Sequence, residues 1–248
     1  MKLTLLSIIF FVISIQSIAQ KPITGVLKYR QITMPKDTNS YVVRHYNLFF
    51  NDKESIIKIE STQRIGADTS VKLIKVNPVG KTEIYKNFET RKIFSEEIAF
   101  LDKIILRDTI ASIAWKISKE RKQVGRFDCQ KAEANVRGRN YTVWFAPEIP
   151  ISDGPWKLHG LPGLILEASD TDKEVKFEFV SLIIPAPNDV IIEVMKPIGK
   201  KQTLALDEYL KLKESNQENF IKMIRSDPKT EGVDVKIDTK GIEILSKN

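Results

Sequence analysis

The stretch that decides the fold is "GPWKLHGLPGLILEASD", Gly154 to Asp170. Glycines and prolines alternate with large apolar residues, and the chain then turns continuously apolar. Pro162 presets φ at the second position of a turn, and Gly163 at the third suits a type II turn, which needs φ > 0 there. Gly160 adds freedom just before it. Leu164, Ile165 and Leu166 are apolar in succession, so the strand they open is expected to be covered on both faces. The reading is a tight corner, Gly160-Leu161-Pro162-Gly163-Leu164-Ile165, feeding a buried strand. A phosphate loop needs other glycine spacings and a following helix. A nucleophile elbow needs G-x-S-x-G. Neither pattern is present.

Working outward, short β-type runs separated by turn signals dominate. "YVVRHYNLFF" and "SIIKIEST" flank the polar loop Asn51–Glu54. "FDCQKAEANV" and "RNYTVWFA" flank Arg137-Gly138. Both read as hairpins. "VKLIKVNPVGKTEIYK" repeats the pattern around Asn77-Pro78-Val79-Gly80. In "VKFEFVSLII", Val175, Phe177 and Phe179 alternate with Lys176 and Glu178, as in an antiparallel sheet with one wetted face. From about Leu206 to Arg225, apolar residues at Leu206, Leu210, Phe220, Ile221 and Ile224 give an amphipathic helix, with Thr203 as a candidate cap. "GVDVKIDTKGIEIL" reads as a last strand or hairpin. The fold class expected is mainly β, a strongly curved antiparallel sheet (a bowl or half-barrel) with this one helix packed on it.

The N-terminus, "MKLTLLSIIFFVISIQSIAQ", has a positive n-region at Lys2, an apolar core and the small residues Ser17 and Ala19. That is the layout of a secretory signal peptide, cleaved after Ala19. Residues 20–248 then form one domain, with no transmembrane segment in the mature chain. A single cysteine, Cys129, excludes an internal disulfide, and residue type makes it a buried, inert thiol. The formal net charge is +7, and Trp115–Arg139 holds eight Lys/Arg against three Asp/Glu. Such a stretch suits an anionic surface, a glycan or an acidic envelope protein. Nucleic acid does not suit an exported chain.

The three tryptophans, Trp115, Trp144 and Trp156, lie in this stretch and just beyond it. Core packing accounts for them, and so does the aromatic wall of a pocket. The candidate binding residues are Trp144 and Trp156 with Arg121, Lys122, Arg126, Arg137 and Arg139. His45, His159 and Cys129 match no zinc spacing, so no metal or cofactor is expected. His159 reads as a surface or capping group. Glu96, Glu97, Glu148, Asp153 and Glu167 are available carboxylates, but sequence distance assigns none of them to acid–base work.

"GLPGLI" at Gly160–Ile165 resembles the signature of the GLPGLI family. The likeness extends through "FDCQKAEANVRGRNYTVWFAPEIPISDGPWKLHGLPGLILEASD", and "GVLKY" (Gly25–Tyr29) and "LFFNDKESI" (Leu48–Ile56) resemble the family's N-terminal strands, so that it covers nearly all of the mature chain. The resemblance implies an exported, periplasmic protein of bacteria with two membranes. Similar domains occur as a bowl-shaped N-terminal module of some glycan-cleaving enzymes, where catalysis lies elsewhere. It implies no catalytic residue. The function expected is a non-catalytic binding or adaptor module. The alternatives are a carrier of an apolar ligand in the concave face, and a hydrolase.

Overall fold

The computed structural model describes residues 23–34, 41–66, 83–99, 102–187 and 202–226. The expected signal peptide, the hairpin around Asn77–Gly80 and the final "GVDVKIDTKGIEIL" segment lie outside them. Among the described residues, twelve strands form one open sheet. In chain order they are β1 (Gly25–Thr33), β2 (Tyr41–Phe50), β3 (Glu54–Ile65), β4 (Glu83–Asn87), β5 (Lys92–Ala99), β6 (Asp102–Thr109), β7 (Lys116–Val124), β8 (Phe127–Val136), β9 (Arg139–Ala146), β10 (Leu164–Asp170), β11 (Val175–Ile183) and β12 (Thr203–Ala205). One helix follows, α1 (Leu206–Ser226). The spatial order is β12-β6-β5-β4-β3-β2-β1-β11-β10-β9-β8-β7. All pairings are antiparallel except β12 on β6.

Side-chain alternation carries the expected amphipathic pattern onto a concave face that holds a large core cluster and a smaller one beneath the helix. Residues directly opposite one another share a face. Leu27, Leu48, Ile57, Ile84, Ser95, Leu106 and Leu204 form one such row from β1 to β12, and all are buried. The helix covers the β12 end of this face. Tyr209, Leu206, Leu210 and Leu212 pack with Ile104, Leu106 and Leu204. Of the helix residues read from the sequence, the side chains of Phe220 and Ile224 lie outside those described.

Curvature has identifiable causes. Register shifts fall at Lys28/Tyr29 between β1 and β11, at His45/Tyr46 between β2 and β3, and at Ile165/Glu167 between β10 and β9. Each extra residue bends its strand and raises the local twist. The accumulated roll brings distant strands together. Arg137, in the β8–β9 turn, forms an ion pair with Asp108 at the end of β6. These elements are separated by most of the sheet in strand order.

Two sequence expectations need correction. Thr203 does not cap the helix, because it belongs to β12. Instead Glu208 reaches back and its Oε2 accepts the Ala205 N–H at 2.7 Å, satisfying one donor of the helix start. At the corner, the left-handed residue is Gly160 (φ 93), and Gly163 is not among the positive-φ residues. Gly163 is required for a different reason. A Cβ there would stand 2.4 Å from the Ala146 carbonyl oxygen and 2.8 Å from its carbon, so two backbones meet where a side chain cannot fit. The Arg137-Gly138 turn is as read, with positive φ at both residues (52 and 79), the type I′ geometry of a two-residue hairpin.

The two glycines therefore predict different costs. Gly163→Ala forces backbone to move and should destabilise by about 2–3 kcal/mol. Gly160→Ala meets only ordinary contacts, the nearest at 3.6 Å from Trp115 Nε1, and should cost about 1 kcal/mol of backbone strain. Denaturant unfolding of both variants checks the order, and equal losses would contradict it.

Candidate functional site

The segment between β9 and β10, residues 147–163, has no regular strand and folds into the concave side of the sheet. Ile149, Ile151, Trp156, Leu158 and Leu161 are buried there against strands from both halves of the sheet. Backbone bonds fix its course. Leu164 N donates to Ile149 O at 3.0 Å, and Ile165 N to Asp153 O at 2.9 Å. The Tyr29 hydroxyl donates to the Ile165 carbonyl beside the β10 irregularity. The corner reading of the quoted stretch thus gains a purpose: it is a plug that fills the bowl. Leu164, Ile165 and Leu166 are fully buried, as their succession requires.

Polar groups tie the plug in place. Lys86 stands in the row Ser55, Lys86, Ile93, Asp108 on the concave face. Its Nζ meets Asp153 Oδ1, and also donates to Gly154 O at 2.9 Å. Both side chains have no solvent exposure. Burial pushes the Lys86 amine below its ordinary value, and the nearby Asp153 only partly opposes this. Lys157, also buried, lies 3.4 Å from Asp108, which already holds Arg137. Trp115 Nε1 donates to His159 O at 2.8 Å. His159 is not a surface group. Its ring is buried, with Nδ1 2.7 Å from Lys157 O and Nε2 2.9 Å from Ala111 O. Both nitrogens face carbonyl oxygens, and the neutral ring, with a single N–H, donates to only one of them.

The candidate binding residues do not assemble into one patch. Trp156 is buried, with its ring 6.2 Å from that of Tyr141, and so presents no outward anchor. Arg139 is buried between Asp170 (2.6 Å) and Glu174 (2.7 Å), where it closes the β10–β11 turn. Arg137 turns to Asp108. Arg121 pairs with Asp128 at 2.6 Å, and Arg126 lies 5.2 Å from the centre of the Phe127 ring. Only Lys122 and Trp144 come together: the ammonium sits 4.5 Å over the indole and 2.6 Å from Glu167. Trp144 and Glu167 stand opposite one another across β9 and β10, and Lys122 reaches them from β7, where it stands opposite Cys129. Charge run length in the sequence carried no information about which carboxylate each base would meet.

The other sequence candidates resolve as follows. Cys129 is fully buried, and its thiol is pushed up to about 12, chiefly by burial. Glu96 faces Lys103 at 3.7 Å, and Asp153 and Glu167 are each held by a lysine. Among the described residues, no group of three His, Cys, Asp or Glu is placed to hold a metal. No helix among them is long and apolar enough to cross a membrane.

What sequence reading missed is a groove at the mouth of the bowl, of about 480 Å3. Four loops supply its walls: Asn51 and Asp52, Phe88 and Arg91, Ile110 to Ile113, and the plug at Pro150–Ser152 with His159 and Gly160. Phe88, Ile110, Ile113, Pro150 and Ile151 give it apolar surface. Asp52 and Ser112 are exposed at its edge. Arg91 (φ 55) donates through Nε and NH2 to Ile110 O, which sets that wall. Loops that converge only after the sheet has rolled leave no local signature.

Over residues 134–167 the chain matches a family described as "Protein of unknown function (Porph_ging)". No curated protein matches. Two solved structures of PNGF-II, in C2 and P21 space groups, each share the fold with a TM-score of 0.50 at 13% identity. Each covers 78% of this chain and 33% of its own, so this chain spans about a third of the length of the structures it resembles.

His159 makes stability depend on pH. Burial holds its folded-state pKa below the ordinary 6.5, so the unfolded chain takes up the proton first. The contribution is present above that value and is lost as pH falls towards the folded pKa. Denaturant unfolding between mildly alkaline and mildly acidic pH should show the loss in the wild type and a shallower slope in His159→Gln. Parallel profiles would contradict it.

Proposed function

We propose that the chain is an exported, non-catalytic binding module of one domain, residues 20–248, whose ligand occupies the groove at the mouth of the bowl. One observation carries this reading. The concave interior is filled by the plug, and the groups with most chemical potential, Lys86, Asp153, His159 and Cys129, are spent inside it as ties or packing. The groove remains, combining an apolar floor with hydrogen-bonding groups at its edge, the composition of small-ligand sites. A filled interior also weighs against carriage of an apolar ligand in the concave face.

The ligand class proposed is a glycan. The GLPGLI-like signature supports this, since similar domains accompany glycan-cleaving enzymes. The likeness in fold to part of PNGF-II supports a module that works beside other domains. The signal-like N-terminus supports export, and the GLPGLI resemblance supports the periplasm of a bacterium with two membranes as the destination. N-terminal sequencing of the protein purified from its host should find Gln20 first, and a retained Met1 would sink the export reading.

Titration of the purified protein with soluble oligosaccharides, followed by calorimetry, tests the groove. Ser112→Trp, which fills it, and Asp52→Ala, which strips its edge, should each weaken binding about tenfold, a loss of about 1.4 kcal/mol, with unfolding unchanged. Affinity untouched by both variants would move the ligand elsewhere. Cleavage of the oligosaccharide by the purified protein would overturn the non-catalytic reading.

A further inference from the structure

We propose that Lys86 and Asp153 are joined by an intramolecular amide bond between Lys86 Nζ and Asp153 Cγ, a self-made covalent tie between strand β4 and the plug. As an ammonium, Lys86 carries three N–H donors, and as a carboxylate, Asp153 carries two acceptor oxygens. Within a site of zero exposure, two of the three donors are met, by Asp153 Oδ1 and Gly154 O. Asp153 Oδ2 has no hydrogen-bond partner. The ion pair therefore leaves a donor and an acceptor buried and unmet, and such a charged pair carries a heavy desolvation cost. The amide needs far less. It keeps one N–H, for which Gly154 O already stands at 2.9 Å, and one carbonyl oxygen.

The site also supplies the reacting species. In an apolar interior the neutral forms are favoured over the ions, and burial lowers the Lys86 amine's affinity for its proton. The proton passes along the contact from ammonium to carboxylate, giving a free amine beside a carboxylic acid. The amine nitrogen attacks Cγ, the N–C bond forms, and the C–OH bond breaks. The departing hydroxyl takes a proton from nitrogen and leaves as water. The balance is one ammonium and one carboxylate to one amide and one water, with no oxidant or co-reactant. Proximity carries the rate, since the two groups are held in contact by strands and plug rather than meeting by diffusion. The neighbouring His159 ring is buried, with its two nitrogens turned to the Lys157 and Ala111 carbonyls rather than to Asp153.

Mass spectrometry of the denatured full chain tests this. The wild type should be lighter than its sequence by one water. Protease digestion should yield a branched peptide joining the segments around Lys86 and Asp153, with no cleavage after Lys86. Asp153→Asn should reach the same final mass as the wild type by losing ammonia, and Lys86→Leu should show its full sequence mass. A wild type at full mass, whose digest contains separate linear peptides bearing free Lys86 and free Asp153, overturns the proposal. That result needs no variant to fold.

Discussion

A sheet that rolls without closing has a concave face to cover, and everything distinctive in this protein follows from how that face is covered. The contact of Lys86 with Asp153 is the centre of the solution. It joins a strand to the loop segment that fills the bowl, at a depth where neither side chain reaches solvent. Breaking such a pair from one side costs several kcal/mol, because the survivor is left buried and alone. The remaining ties, Tyr29 to Ile165, Lys157 to Asp108 and Trp115 to His159, surround it and fix the plug from different strands. Apolar burial of Ile149, Trp156, Leu158 and Leu161 supplies the bulk of the attraction, and the polar ties set the register.

The clasp at Asp108 works with the roll. Arg137 and Lys157 approach this one carboxylate from the far end of the sheet and from the plug. Bulges give the strands their bend, and the clasp holds the bend at one value. The groove inherits its shape from these constraints, since the loops of β2 to β6 on one side and the plug between β9 and β10 on the other belong to opposite halves of the strand order. Its walls are loops, but they are loops pinned by Arg91, His159 and the corner glycines.

The sheet was legible residue by residue where alternation and turn chemistry agree. The strands "YVVRHYNLFF", "FDCQKAEANV" and "RNYTVWFA" and the Arg137-Gly138 turn fall where their patterns place them. The corner was legible as a corner, but its mechanics were exchanged: Gly160 takes the left-handed conformation and Gly163 the close approach to Ala146. A Pro-Gly pair signals a type II turn locally, and here a neighbouring strand's backbone overrules it. The binding residues were the least legible. Arg139 and Trp156 look like recognition residues in composition, yet the fold turns both inward, where Asp170, Glu174 and Tyr141 wait. The carboxylates that hold Arg139 arrive from 31 and 35 positions away and leave no trace in a charge count.

Strand β1 sits in the middle of the sheet, between β2 and β11. One of its neighbours follows at once along the chain, and the other comes 148 residues later, as the Arg30–Glu178 pair measures. Half of the central strand's backbone donors and acceptors therefore stay unmatched until most of the polypeptide is in place. Assembly of this protein cannot proceed in the order in which its residues are made. The early hairpin must wait, with an open edge, for a late one. Non-local closure of this kind belongs to the slow end of folding rates, and it makes the unpaired flank of β1 the surface most exposed to wrong partners while the chain is incomplete.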